Sequence, residues 1–215
     1  MSEESTNRYD PQFGRIEHYR RYPQMMPFVG RNYKKGGILL LGESHYLPKR
    51  SKLHLDAAQW YEGDDNCLDD EEKAWINTRA IVESHVRGEG TPFFRNIGQA
   101  LCEATGRDSS TMIQDFSFMN AFQRPAIETK SIEITDLDTD KSAEAIRRVV
   151  EILSPGTCFF FSKKAVRHFS GSIPRDIKIE GTQHPSCAWW YSKSGPEMIS
   201  GKERFVRFIR TAWFV

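Results

Sequence analysis

The sequence predicts an α/β protein: a three-layer α/β/α sandwich on a four-stranded, mainly parallel sheet. Three observations carry that prediction. Ile38 to Leu41 is an apolar run without alternation, entered through Gly36 and Gly37. Such a run suits a strand covered on both faces. A buried helix segment is also apolar throughout, but four residues are too few for one. Further apolar runs at 115–122, Cys158 to Phe161 and Ile177 to Ile179 alternate with helical patterns, the order that parallel crossover connections need.

Taken in order, residues 1–12 are polar and acidic and are expected to form a flexible tail. Residues 13–35 are basic and aromatic, broken by Pro23 and Pro27, and read as a short helix and a turn into the first strand. Their basic residues form either a nucleic-acid rim or a solvated face. The segment 48–90 is a charged insertion placed to act as a lid over the first strand's carboxyl end. Within it, Thr78 to Arg87 puts Ile81, Val82 and Val86 on one helical side. Its block Asp69 to Glu72 is read as helix-start and solubility chemistry before metal binding.

Thr91 and Pro92 start the next helix, with Phe93, Phe94, Ile97, Leu101 and Cys102 near helical spacing and Gly106 at its end. The second strand follows at 115–122. Ser142 to Leu153 is amphipathic and is stopped by Ser154-Pro155-Gly156. After the third strand comes a short helix from Lys163 to Phe169. The fourth strand runs out into Gln183-His184-Pro185-Ser186, and a helix from Lys202 to Thr211 closes the chain.

The 215 residues suit one domain spanning 1–215, with a real core. Hydrophobic content of 39% and a mean hydropathy of -0.58 exclude a disordered chain. Thirty basic against twenty-nine acidic residues supply no bulk attraction to nucleic acid, so DNA binding would need a local basic face. The four cysteines, Cys67, Cys102, Cys158 and Cys187, show no metal-ligand spacing. A reduced, cytoplasmic protein without a structural metal is expected, and no apolar run approaches membrane-spanning length.

The chemistry collects at strand ends. Glu43, Ser44, His45 and Tyr46 follow the first strand, Asn120 ends the second, and His184 to Ser186 follow the fourth. In open α/β sheets ligands bind outside the carboxyl ends of the strands. Each group alone reads as a structural polar residue; together they form one candidate site.

In this order the motifs resemble the uracil-DNA glycosylase superfamily. Gly42-Glu43-Ser44-His45-Tyr46 stands where its Gly-Gln-Asp-Pro-Tyr or Gly-Glu-x-Pro-Gly motif stands. The run from Thr91 to Leu101 is similar to the Pro-Phe…Gly-x-x-Leu helix of the thermophile-type members. Met119 to Pro125 is similar to their Thr-Asn-x-x-Lys-x-Arg-Pro segment, and His184-Pro185-Ser186 matches the last motif. The resemblance spans about residues 36–210.

It implies hydrolysis of an N-glycosidic bond, removing a deaminated or damaged base from DNA without a cofactor or metal. Glu43 would be the catalytic carboxylate, His184 the donor to the leaving base, and His45 either a second acid or base or a residue that crowds the pocket. Tyr46 falls where a tyrosine rejects thymine's methyl. Asn120 would read the base edge, and Phe93 or Phe94 would stack on it. Ser44, Arg124, Ser186 and Lys193 are the implied DNA contacts. Trp189 and Trp190 lie on the loop placed like the segment that wedges into the duplex. The implied partner of this monomer is DNA, with no membrane.

The departures are Ser44 for aspartate, His45 for proline, and cysteines that do not match the iron–sulfur pattern, so no cluster is expected. The acidic insertion is longer than the usual connection. A free nucleoside or nucleotide as substrate, or a catalytically silent base-binding protein, are the alternatives.

Overall fold

A strand without a polar face must be covered on both sides. In the computed structural model, which describes residues 4–86, 88–193 and 195–213, the apolar run forms β2 (Ile38–Gly42) at the centre of a five-stranded sheet. Strands β4 (Ser117–Asn120) and β6 (Thr157–Phe160) flank it in parallel, and β7 (Lys178–Gly181) extends the sheet in parallel beyond β6. The other edge is β1 (Phe28–Val29), antiparallel to β4. A separate parallel pair joins β3 (Tyr46–Leu47) to β5 (Ala126–Ile127).

The sheet is therefore mixed and five-stranded, and the expectation of four mainly parallel strands is corrected. The strands that sequence reading missed, β1 in this sheet and β3 and β5 in the separate pair, are each two residues long, too short for alternation to show.

Alternate residues of β2 feed two cores. Leu39 and Leu41 join Met119, Cys158 and Phe160 on one face of the sheet. There they meet α8 (Asp136–Leu153) through Ile146, Val149 and Leu153, and α9 (Lys163–Phe169) through Ala165 and Phe169. Ile38 and Leu40 join Phe118, Phe159 and Phe161 on the other face. That face is covered by α6 (Pro92–Thr105), through Phe94, Ile97 and Leu101, and by α10 (Gly201–Trp213), through Phe205, Phe208 and Ile209. Among the described residues no helix is long and apolar enough to cross a membrane.

Residues 4–12 are not the tail that their polarity suggests; residues 1–3 lie outside the described residues. Thr6 N–H donates to the Val29 carbonyl and Arg31 N–H to that of Glu4, at 2.8 and 3.1 Å. Tyr9 is buried ahead of α1 (Asp10–Phe13), and α2 (Glu17–Arg21) follows, burying Tyr19. The basic residues of this stretch are partly spent locally: Arg21 bonds Glu17 and the Glu62 carbonyl.

The charged insertion folds into α3 (Ala57–Glu62), α4 (Asp70–Trp75) and α5 (Thr78–Val86). Asp69 and Glu72 form a capping box at the start of α4, and Arg50 pairs with Asp69 and Glu71. The acidic block thus serves its own helix start. Ile81 and Val82 face the second core as expected, while Arg87 and the Val86 side chain lie outside the described residues. The short helix α7 (Ser109–Met112) buries Met112 against the same core.

Helix α8 begins at Asp136, ahead of the expected Ser142, because Thr135 and Asp138 make a second capping box. Asp138 is fully buried and also takes a bidentate pair from Arg124, Nε to Oδ1 at 2.8 Å and Nη2 to Oδ2 at 2.7 Å. Arg124 is thereby excluded from any DNA-facing surface, a correction to its expected role. Burial pushes the Asp138 carboxyl up, but the Arg124 bonds and the Thr135 amide outweigh it and hold the carboxyl below its ordinary range. The stabilisation is complete at neutral pH and is lost as pH falls through that lowered value.

Asp138→Ala should cost about 3–5 kcal/mol in denaturant unfolding, since it strands a buried guanidinium. The double change Arg124→Met with Asp138→Leu should cost less than the single one. A loss under about 1 kcal/mol for the single variant would show that the pair does not hold this region.

Candidate active site

The register that builds the sheet also builds the site. Gly42, the last residue of β2, pairs with Asn120, the last of β4. A Cβ on Gly42 would sit 2.2 Å from Asn120 Oδ1, so glycine is what lets the amide lie across the end of the neighbouring strand. Beyond Gly42 the chain passes through Glu43, Ser44, His45 and Tyr46, and beyond β7 it reaches His184. These ends and the Phe93–Phe94 turn of α6 enclose a cavity of about 620 Å³.

Glu43, Ser44, His45, Tyr46, Phe93, Phe94, Asn120, His184 and Ser186 all line it. The remaining expected site residues do not. Arg124 is buried in its ion pair, and Trp190 is fully buried beside Phe161 and Phe205, which corrects its expected role as a wedge. Trp189 is 61% exposed but lies away from the cavity wall, and Lys193 pairs with Glu203 at 3.5 Å.

Glu43 is pinned. Ser131 Oγ donates to its Oε1 and Ser162 Oγ to its Oε2, both at 2.6 Å. Lys164 Nζ lies 4.0 Å from Oε1 and donates to Ser131 Oγ at 2.7 Å. Ser162 is also the N-cap of α9, accepting from Ala165 N–H, so its one hydroxyl proton is free for Glu43. A carboxylate has about four lone-pair sites, which leaves Glu43 able to accept from a ligand or a water.

His184 has a defined tautomer. Ser186 N–H donates to its Nδ1 at 3.2 Å, so Nδ1 is the acceptor and the ring proton sits on Nε2. Burial lowers its pKa, and the Glu43 charge opposes that only in part, so the ring is neutral at pH 7. Phe93 packs on it with ring centroids 4.9 Å apart. Asn96 Nδ2 donates to the Pro185 carbonyl at 2.8 Å, tying the His-Pro-Ser turn to α6.

His45 is spent differently. Thr78 Oγ1 donates to the Met25 carbonyl and so accepts from His45 Nε2, at 2.9 Å. Burial lowers its pKa to about 3, so it carries no acidic proton at neutral pH and instead seats the first residue of α5. Tyr46 is half exposed at the rim, its phenol pushed up by burial and by Glu43.

The insertion supplies the opposite wall through Ala74, Trp75, Thr78 and Ile81. Sequence reading placed this segment over the strand end and put Thr78 and Ile81 on a helix there, but it gave neither a place in the site and did not name Ala74 or Trp75. Nothing local marks Ala74 or Thr78. Ser162 carried a usable signal, a serine directly before a helix start. Ser131, Lys164 and Asn96 carried none, because their roles depend on distant partners.

Helix α5 reaches the cavity because α6 carries Gly98, where a Cβ would lie 2.7 Å from His85 Nε2. Thr129, also on the wall, holds a φ of 69°, a left-handed conformation costly for a β-branched residue. Among the described residues that line the cavity there is no lysine or arginine. Among the described residues no group of three or more His, Cys, Asp or Glu side chains could hold a metal ion. No family model and no curated protein matches the chain.

Histidine titration followed by NMR should find His184 below the ordinary histidine value, protonated on Nε2, and His45 neutral down to about pH 3. Glu43→Gln should move His184 further down, since the carboxylate supports the imidazolium. Titration of His184 at or above the ordinary value would overturn the neutral-donor assignment.

Proposed function

We propose that the protein is an N-glycosidic bond hydrolase of the uracil-DNA glycosylase type, removing a deaminated or damaged base from DNA. The observation that carries this reading is the pairing of a neutral Nε2–H donor, His184, with a pinned carboxylate, Glu43, across one cavity.

In the reaction the C1′–N bond breaks and its electron pair leaves with the base. Negative charge gathers on the base carbonyl oxygen, where a prepositioned donor is most effective, and His184 Nε2–H supplies it. The sugar becomes oxocarbenium-like, and Glu43 stabilises it and orients water. Water gives its hydroxide to C1′, and the proton balances the departing base. The Asn120 side chain, with no hydrogen bond of its own among the described residues, offers one donor face and one acceptor to the base edge. Phe93, packed at a tilt against His184, provides the platform for the ring.

A second reading, hydrolysis of a free nucleoside, is favoured by one observation: no lysine or arginine among the described residues lines the cavity to meet a phosphate. Salt separates the two, because DNA binding weakens steeply with ionic strength and nucleoside binding does not.

The test is base release from labelled oligonucleotides bearing uracil, hypoxanthine, xanthine or a G·T mismatch, single- and double-stranded, with the matching nucleosides alongside. One base should be released, and Glu43→Ala and His184→Ala should each slow release about a hundredfold or more. If excess enzyme releases nothing from any substrate, the hydrolase reading falls.

A further inference from the structure

The cavity has two chemically different halves, and only one is used by the reaction above. On the strand-end side stand Glu43, Asn120 and His184. The lid contributes Ala74, Trp75 and Ile81, and Ile81 packs against the core that holds Phe94 and Phe118, which also line the cavity. The Thr78 and His45 side chains are already engaged, which leaves the Trp75 indole N–H as a lone donor among the described lid side chains that line the cavity. His45 Nε2 bonds Thr78, and the Thr78 hydroxyl bonds the Met25 carbonyl. A ligand group entering this half meets carbon and finds little to hydrogen-bond.

Size points the same way. Cavities of roughly 300–1,000 Å³ hold drug-sized ligands, and this one is about 620 Å³, far more than a bare pyrimidine ring needs. An anionic extension does not fit the surplus space, since no lysine or arginine among the described residues lines it. A phosphate there would be desolvated without a counter-ion.

We propose that the lid half of the cavity is a chamber for an apolar or aromatic substituent, so that the base taken is an enlarged one. The inference rests on the base-binding reading of the strand-end half. It names a substrate class: a nucleobase whose hydrogen-bonding edge meets Asn120 and His184 while a hydrophobic arm lies against Trp75, Ile81 and Phe94. Burying such an arm adds affinity in proportion to the apolar area removed from water.

Calorimetric titration of the full chain with two pairs of free bases tests this: uracil against 5-benzyluracil, and adenine against 6-benzylaminopurine. In at least one pair the benzylated base should bind about tenfold tighter or more than its parent. Ala74→Trp, which fills the chamber from an exposed helix position without hollowing the core, should collapse that ratio toward one. Trp75→Ala should also lower it.

The proposal is overturned if neither benzylated base outbinds its parent, if no base binds, or if Ala74→Trp leaves the ratio unchanged. Base release from the corresponding deoxynucleosides is scored separately. Tighter binding of the enlarged base with no bond cleavage refutes the hydrolase and leaves the chamber. Release of plain bases without any size preference refutes the chamber and leaves the hydrolase.

Discussion

The buried pair between Arg124 and Asp138 is the constraint on which the surroundings of the cavity depend. Beyond its two bonds to Asp138, Arg124 donates to the carbonyls of His54 and Glu133, at 2.6 and 2.7 Å. Those carbonyls belong to the approach to the lid and to the loop before α8. Asp138 also accepts from Tyr61 in α3 and from Thr135 at the helix cap. One guanidinium and one carboxylate thus fasten lid, loop and helix at a single point. Two charges taken out of water are costly, and an apolar pair of equal volume can be as stable. An apolar pair could not satisfy those two carbonyls.

What that point holds reaches the site through the loop. Between β5 and α8 lie Thr129, strained and on the cavity wall, and Ser131, which fixes Glu43. Lys164 bridges from the other side, bonding Ser131 Oγ and the Ile132 carbonyl. Glu43 is therefore held from a loop and from the start of α9, and the loop is held by the pair. A carboxylate pinned in this way presents charge in a fixed place. That suits stabilising a developing cation better than reaching for protons.

The strands were legible because burial on both faces leaves an unambiguous apolar run, as at Ile38 to Leu41. Two polar exits were legible for the same reason, Glu43 just past such a run and Asn120 within one. His184 follows the edge strand β7, which is no such run, and was legible through its His-Pro-Ser motif, yet all three line one cavity. The misses have physical causes. Arginine is a residue type usually found at surfaces, and only its partner Asp138 draws Arg124 inside. Trp190 was placed outside by the resemblance of its loop to a wedge, whereas Phe161 and Phe205 hold it in the core. Residues 4–12 looked like a tail because backbone bonds to an edge strand leave no mark on composition. The lid wall was hidden because Ala74, Trp75 and Ile76 make only a three-residue apolar step after a charged stretch, too short for a period to reveal a face.

The acidity of the insertion counts for less than the bare sequence suggests. Glu72 is spent on a cap, while Asp69 and Glu71 meet Arg50, so much of that charge is answered on the spot. The electrostatics that matter lie inside the cavity, where Glu43 is the only carboxylate among the described lining residues and the histidines are kept neutral by burial. In the proposed reaction this arrangement separates the two charges that bond cleavage creates. The cationic sugar forms beside a fixed anion, and the anionic base forms beside neutral donors. A protonated His184 would pair with Glu43 before any substrate arrived and would weaken the carboxylate's hold on the sugar. The burial that lowers the histidine's pKa therefore keeps the two halves of the chemistry from cancelling each other.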